Sequence, residues 1–162
     1  MSRRLDRRWI GRLTLDLGLW TLDSGRPTVD RGLWTHMILG VGIDIIEVAR
    51  IQSSYERFGD RFLKRILHPN EIAYCLQHKV PGPFLAARFA AKEAISKAFG
   101  TGIGAQLGWQ DMEVGRKDSG EPFVILHGSG QTLLIERAAR IVLISLSHTQ
   151  AHAAAVAILE GV

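Results

Sequence analysis

The stretch ILGVGIDII (Ile38–Ile46) decides how the rest of the chain is read. On a period of two, Leu39, Val41, Ile43 and Ile45 share one face, while Gly40, Gly42 and Asp44 share the other. A strand here displays a carboxylate on a face that two glycines clear of side chains. The period then changes. Over residues 47–66, apolar positions at helical spacing mix with Arg50, Arg57, Arg61, Lys64 and Arg65, which predicts a basic amphipathic helix with a break at Gly59. Pro69-Asn70-Glu71 predicts a further short helix capped by Asn70.

After the turn Pro81-Gly82-Pro83, the segment Phe84–Phe99 holds six alanines and reads as the strongest helix, stopped at Gly100. At about 100° per residue, Phe84, Ala91, Ile95 and Ala98 form one stripe with Phe99 at its edge. Glu93 and Lys97 stand opposite, beside Ala86 and Ala90. Two strands flank Asp118-Ser119-Gly120, a hairpin signal. A helix is expected over Gln131–Arg140, then a second hairpin from Ile141–Ser147 and Ala153–Leu159 around His148-Thr149-Gln150. Helices interspersed with antiparallel hairpins predict an α+β fold, an antiparallel sheet with packed helices.

The 162 residues suit about one domain, and 46% hydrophobic with 22% charged residues excludes wholesale disorder. The longest apolar stretch, Ala151–Leu159, is far shorter than the roughly 20 residues of a spanning helix, so no membrane span is expected. The single cysteine, Cys75, cannot form an internal disulfide, which fits a cytoplasmic setting. The pI near 9.6 comes mainly from residues 1–36, with seven Arg and four Asp against 13 Lys+Arg and 12 Asp+Glu in 37–162. Arg without Lys, three scattered Trp, no sustained period and Met37 directly before the strand mark residues 1–36 as a leader, disordered or outside the working protein. Nucleic-acid binding loses its main support with that segment.

Asp44 can satisfy a backbone N–H at a strand end, or it can hold Mg²⁺ if a second acidic group joins it. Glu93 is the candidate second group. Its i,i+4 spacing to Lys97 also suits an ordinary helix-surface ion pair, but the helix around it is alanine and aromatic, where an isolated charge is costly. Lys97 suits a phosphate as a point charge or a proton donor to a leaving oxygen. Arg88 and Lys92 read as solvated charge or a subunit contact. The glycine loop Gly100–Gly104 follows a helix, the wrong end of the dipole for anions, and reads as a stop and turn. No G-x-S-x-G elbow surrounds Ser145, Ser147 and His148. His68, His78, His127 and His152 show no metal-ligand spacing, and one Cys cannot build a zinc site.

Three segments in order, GVGIDIIEVARI (Gly40–Ile51), RFAAKEAISKAFGTGIG (Arg88–Gly104) and SLSHTQAHAAA (Ser145–Ala155), together resemble the small bacterial holo-[acyl-carrier-protein] synthases, a 4′-phosphopantetheinyl transferase family. The resemblance covers residues 37–162. It implies transfer of 4′-phosphopantetheine from coenzyme A to a serine of apo acyl carrier protein, with release of adenosine 3′,5′-bisphosphate, in support of fatty acid biosynthesis. It further implies Mg²⁺ held by Asp44 and Glu93, catalysis by these two with Lys97, coenzyme A binding by Arg88, Lys97 and His148, and carrier docking by Arg50, Arg57 and Arg61. The family is usually trimeric, with active sites between subunits. Two other readings stand beside it: a Mg²⁺-dependent pyrophosphatase acting on a nucleotide or coenzyme A through the same two carboxylates, and a basic nucleic-acid-binding module resting on the pI and the basic helix.

Overall fold

A computed structural model describes residues 20–23, 26–29 and 37–161. The chain divides into two units, residues 1–35 and 36–162. In the first, β1 (Trp20–Asp23) pairs antiparallel with β2 (Arg26–Val29). The expectation of a disordered leader otherwise falls outside the described residues.

The second unit is α+β, as the antiparallel hairpin signals predict. The first strand, β3 (Met37–Glu47), runs directly into α1 (Val48–Phe58). Gly59, at φ +52°, separates α1 from α2 (Asp60–Ile66), so the expected break is present. Helix α3 (Pro69–Leu76) opens with Pro69 in its first turn, and the Glu71 side chain accepts from the His68 N–H at 2.8 Å. The residue outside the helix is therefore His68, two before the expected Asn70, because proline suits the first helical position.

Helix α4 (Gly82–Ala98) begins within the expected Pro-Gly-Pro turn. The strands β4 (Met112–Arg116) and β5 (Pro122–Leu126) form the first expected hairpin. Helix α5 spans Gly128–Glu136, earlier than the expected 131–140, since Arg140 belongs to the next strand. That strand, β6 (Ala139–His148), pairs with β7 (His152–Gly161), which in turn pairs with β3 to give the antiparallel order β3-β7-β6.

Helix α4 packs across all three strands of this sheet. Strand β7 turns Ala153, Ala155, Ala157 and Leu159 toward it, all buried. On β3, a Cβ at Gly42 would overlap the Ala94 carbonyl oxygen and sit 2.6 Å from the Ala98 amide nitrogen. The glycine face is thus cleared for the helix backbone and not for a ligand. Close approach of a smooth helix to a smooth sheet needs these small residues on both sides. The opposite face of β3 is left outward, with Val41 59%, Ile43 69% and Ile45 69% exposed.

Candidate active site

Asp44 lies on the inner face of β3, one alternation beyond Gly42, where α4 no longer covers the strand completely. Lys97 leans back along its helix toward the N-terminus, the direction side chains take on a helix. Its Nζ donates to Asp44 Oδ1 at 2.7 Å and to the Ile43 carbonyl at 3.1 Å. The Lys97 side chain is 47% exposed and that of Asp44 15%, so the pair opens to solvent on one side.

Glu93 lies one turn before Lys97 and is half-buried. Burial pushes its carboxyl above the ordinary carboxylate range, the negative charge of Asp44 pushes further, and Lys97 partly offsets both. The two carboxylates therefore sit close enough to repel. Such a pair of oxygen donors suits a hard divalent cation, which relieves the repulsion and takes oxygen ligands. Asp44, Glu93 and Lys97, drawn from opposite ends of the sequence signal, meet in one place.

The basic residues of α4 depart from expectation. Lys92 is fully buried: its Nζ reaches Glu71 Oε2 at 2.8 Å, the Ile66 carbonyl at 2.7 Å and the Trp109 carbonyl at 3.1 Å. Glu71 also accepts from the Val114 N–H at 3.1 Å. This ion pair joins α2, α3, α4 and β4, and it replaces the solvated charge or subunit contact read from sequence. Arg88 is also buried, with its guanidinium 4.6 Å from the Tyr74 ring centre and its Nε without a hydrogen-bond partner.

Arg88 lines a cavity of about 280 Å³ with Tyr74, Phe84, Arg116, Leu146 and His148. The His148 ring lies 4.9 Å from that of Phe84, edge to face. Arg88 and Glu93 differ by five residues, about 140° around the helix, so they face different sides of α4. Across the sheet, Asp44 is in register with Ala155, and Ala155 with Leu146. The cavity thus lies two strands from Asp44, and the sheet does not bring Arg88 and His148 beside Glu93 and Lys97.

Arg50 and Arg57 are exposed on α1. Arg61 joins Arg65, Ser54, Phe58 and Phe62 in lining a shallow groove along α1 and α2. Cations flank an aromatic floor here, and Arg57 packs 4.9 Å from the Phe58 ring centre.

No helix among the described residues is long and apolar enough to cross a membrane. The sequence model of the 4′-phosphopantetheinyl transferase superfamily matches residues 40–157. A holo-[acyl-carrier-protein] synthase of Chlamydia trachomatis serovar L2 is 50% identical over 123 residues, which span 76% of this chain and 100% of that protein. Among solved structures, the holo-[acyl-carrier-protein] synthase of Neisseria meningitidis superposes with a TM-score of 0.71 at 34% identity, covering 76% of this chain and 98% of that one. The holo-(acyl-carrier-protein) synthase of Bacillus anthracis in complex with CoA (3′,5′-ADP) gives a TM-score of 0.65 at 41% identity over 78% of this chain and 99% of its own. By fold and by these matches, the chain belongs to the holo-[acyl-carrier-protein] synthase family of 4′-phosphopantetheinyl transferases.

Proposed function

We propose that the chain transfers 4′-phosphopantetheine from coenzyme A to a serine hydroxyl of an apo acyl carrier protein, releasing adenosine 3′,5′-bisphosphate. The observation that carries this reading is the juxtaposition of Asp44, Glu93 and Lys97. Attack of a hydroxyl on a diphosphate needs charge neutralisation more than a protein nucleophile. Asp44 and Glu93 would hold Mg²⁺, which supplies Lewis-acid neutralisation of the diphosphate oxygens when bound. Lys97 is the cation that stabilises the departing phosphate. Glu93, directly or through water, takes the serine proton.

Arg88 and His148 bind coenzyme A. The buried Arg88 Nε without a partner supports an anionic ligand in their cavity. A donor that contacts this cavity and the Asp44 site, on different sides of α4, is best accommodated between two copies of the chain. The outward face of β3 supports the same assembly: Val41, Ile43 and Ile45 form an apolar surface with Leu143 of β6, 44% exposed. A homotrimer buries it. Ile43→Glu in sedimentation analysis should yield a monomer, and an unchanged wild-type trimer in that variant would overturn this arrangement.

Arg50, Arg57 and Arg61 dock the acidic carrier, Arg61 from the aromatic-floored groove, and charge steers the encounter. The setting is cytoplasmic fatty acid biosynthesis. Residues 37–162 form the transferase domain and 1–36 stand outside it, in keeping with a match that spans the whole Chlamydia relative. The deciding experiment incubates the protein with coenzyme A, Mg²⁺ and apo carrier and weighs the carrier. A phosphopantetheine mass increment is expected, whereas hydrolysis of coenzyme A without carrier modification would overturn the reading in favour of a pyrophosphatase.

A further inference from the structure

A second group of chemistry-bearing side chains lies away from Asp44. His68 precedes α3, Glu113 sits on β4 and His127 precedes α5, and one ligand atom from each falls within 4.8 Å of the others. Sequence spacing gave no hint of it, because the residues come from three separate elements. The Glu113 side chain is 9% exposed, that of His68 18% and that of His127 39%, so a buried carboxylate forms the base and an imidazole the open rim.

The hydrogen bonds around the group prepare it for a cation. His68 Nε2 lies 2.9 Å from the Gln110 carbonyl, which only accepts, so Nε2 carries the proton and Nδ1 keeps its lone pair in the neutral ring. Asn70 Nδ2 donates to Glu113 Oε1 at 3.2 Å, which leaves Oε2 for the shared centre. Glu113 Oε2 lies 2.9 Å from His127 Nε2 and 3.9 Å from His68 Nδ1. Tetrahedral ligands at Zn–N and Zn–O lengths of about 2.0–2.2 Å stand about 3.3–3.6 Å apart. The two separations bracket that value; the two imidazoles, stacked with ring centres 4.5 Å apart, have to turn for both nitrogens to face one ion, which the exposure of His127 allows. Outer partners that fix an imidazole tautomer and orient a carboxylate are the usual support of a metal centre.

We propose that His68 Nδ1, Glu113 Oε2 and His127 Nε2 form a site for a divalent transition-metal ion of the Zn²⁺ class, with water completing the coordination. Two nitrogen ligands set it apart from the oxygen-only pair Asp44–Glu93 and select against Mg²⁺. Binding displaces the proton between His127 and Glu113 and clasps β4 to the first turns of α3 and α5. The site is independent of the transferase reading.

The test is calorimetric titration of Zn²⁺ into the untagged full chain, with excess Mg²⁺ present to compete at Asp44–Glu93. One equivalent per chain is expected. His68→Gln and His127→Gln should each weaken it by more than the roughly 10–100-fold that losing an outer partner costs, while His152→Gln leaves it unchanged. Melting without Zn²⁺ verifies that the variants fold, and His127→Gln is the safer of the two because its ring is exposed. As a second measurement, anomalous diffraction at the zinc edge should show a peak bonded to all three side chains. Absence of binding to the wild type, full binding in either folded variant, or a peak elsewhere would overturn the proposal.

Discussion

Lys97 Nζ donates to Asp44 Oδ1 at 2.7 Å across 53 residues of sequence, bridging helix α4 to strand β3. The bridge is half-exposed, so its own contribution to stability is small, about 0–1 kcal/mol. Its consequence is positional. It holds one carboxylate beside a cation while Glu93, a turn away, remains under repulsion from Asp44.

Asp44→Ala and Glu93→Ala should each reduce carrier modification at least about 10²–10³-fold, the scale of losing one centre of charge stabilisation. Circular dichroism and thermal melting should stay near wild type, since neither side chain is part of the core. Full transfer in either variant, read by carrier mass, would contradict the roles assigned to them.

Arg50→Glu should raise the KM for carrier protein roughly tenfold or more, with the KM for coenzyme A nearly unchanged, and the defect should shrink as salt rises. Steady-state kinetics with each substrate varied in turn checks this. Equal effects on both substrates would argue against docking on α1.

Gly42→Ala should destabilise the protein by about 3 kcal/mol or more, at or above the top of the usual range for overpacking. The added methyl meets backbone atoms of Ala94 and Ala98, which cannot rotate away. Denaturant unfolding measures the loss, and a neutral result would mean that α4 lies farther from β3.

Lys92→Met should cost about 3–5 kcal/mol, because it leaves Glu71 charged and buried. Burial also holds the Lys92 ammonium below its ordinary pKa, against the opposing pull of Glu71. Adding Glu71→Gln to Lys92→Met should recover part of the loss in the same unfolding assay.

Cys75 should resist thiol reagents at neutral pH until the protein unfolds. Burial pushes its pKa up to about 12, with Glu71 adding to the rise against Arg88 and Lys92, so almost no thiolate exists and no reagent reaches it. Labelling followed by mass, with and without denaturant, checks this. Rapid native labelling would show that the α3–α4 packing opens.

Much of this molecule could be read along the chain because its signals are local. Period-two alternation put Gly40, Gly42 and Asp44 on one face of β3, and the alanines of α4 announced a buried helix with Glu93 and Lys97 one turn apart. Proline and glycine marked the breaks near residues 59, 82 and 120. Periodicity tells which side chains share a face but not what that face meets. Only the packed molecule shows that the glycine face receives the backbone of α4 while Val41, Ile43 and Ile45 turn outward. The same holds for the partnership of Lys92 with Glu71 and the meeting of His68, Glu113 and His127. These contacts join segments tens of residues apart, and their strength comes from desolvation, which exists only once the surrounding elements have closed over them.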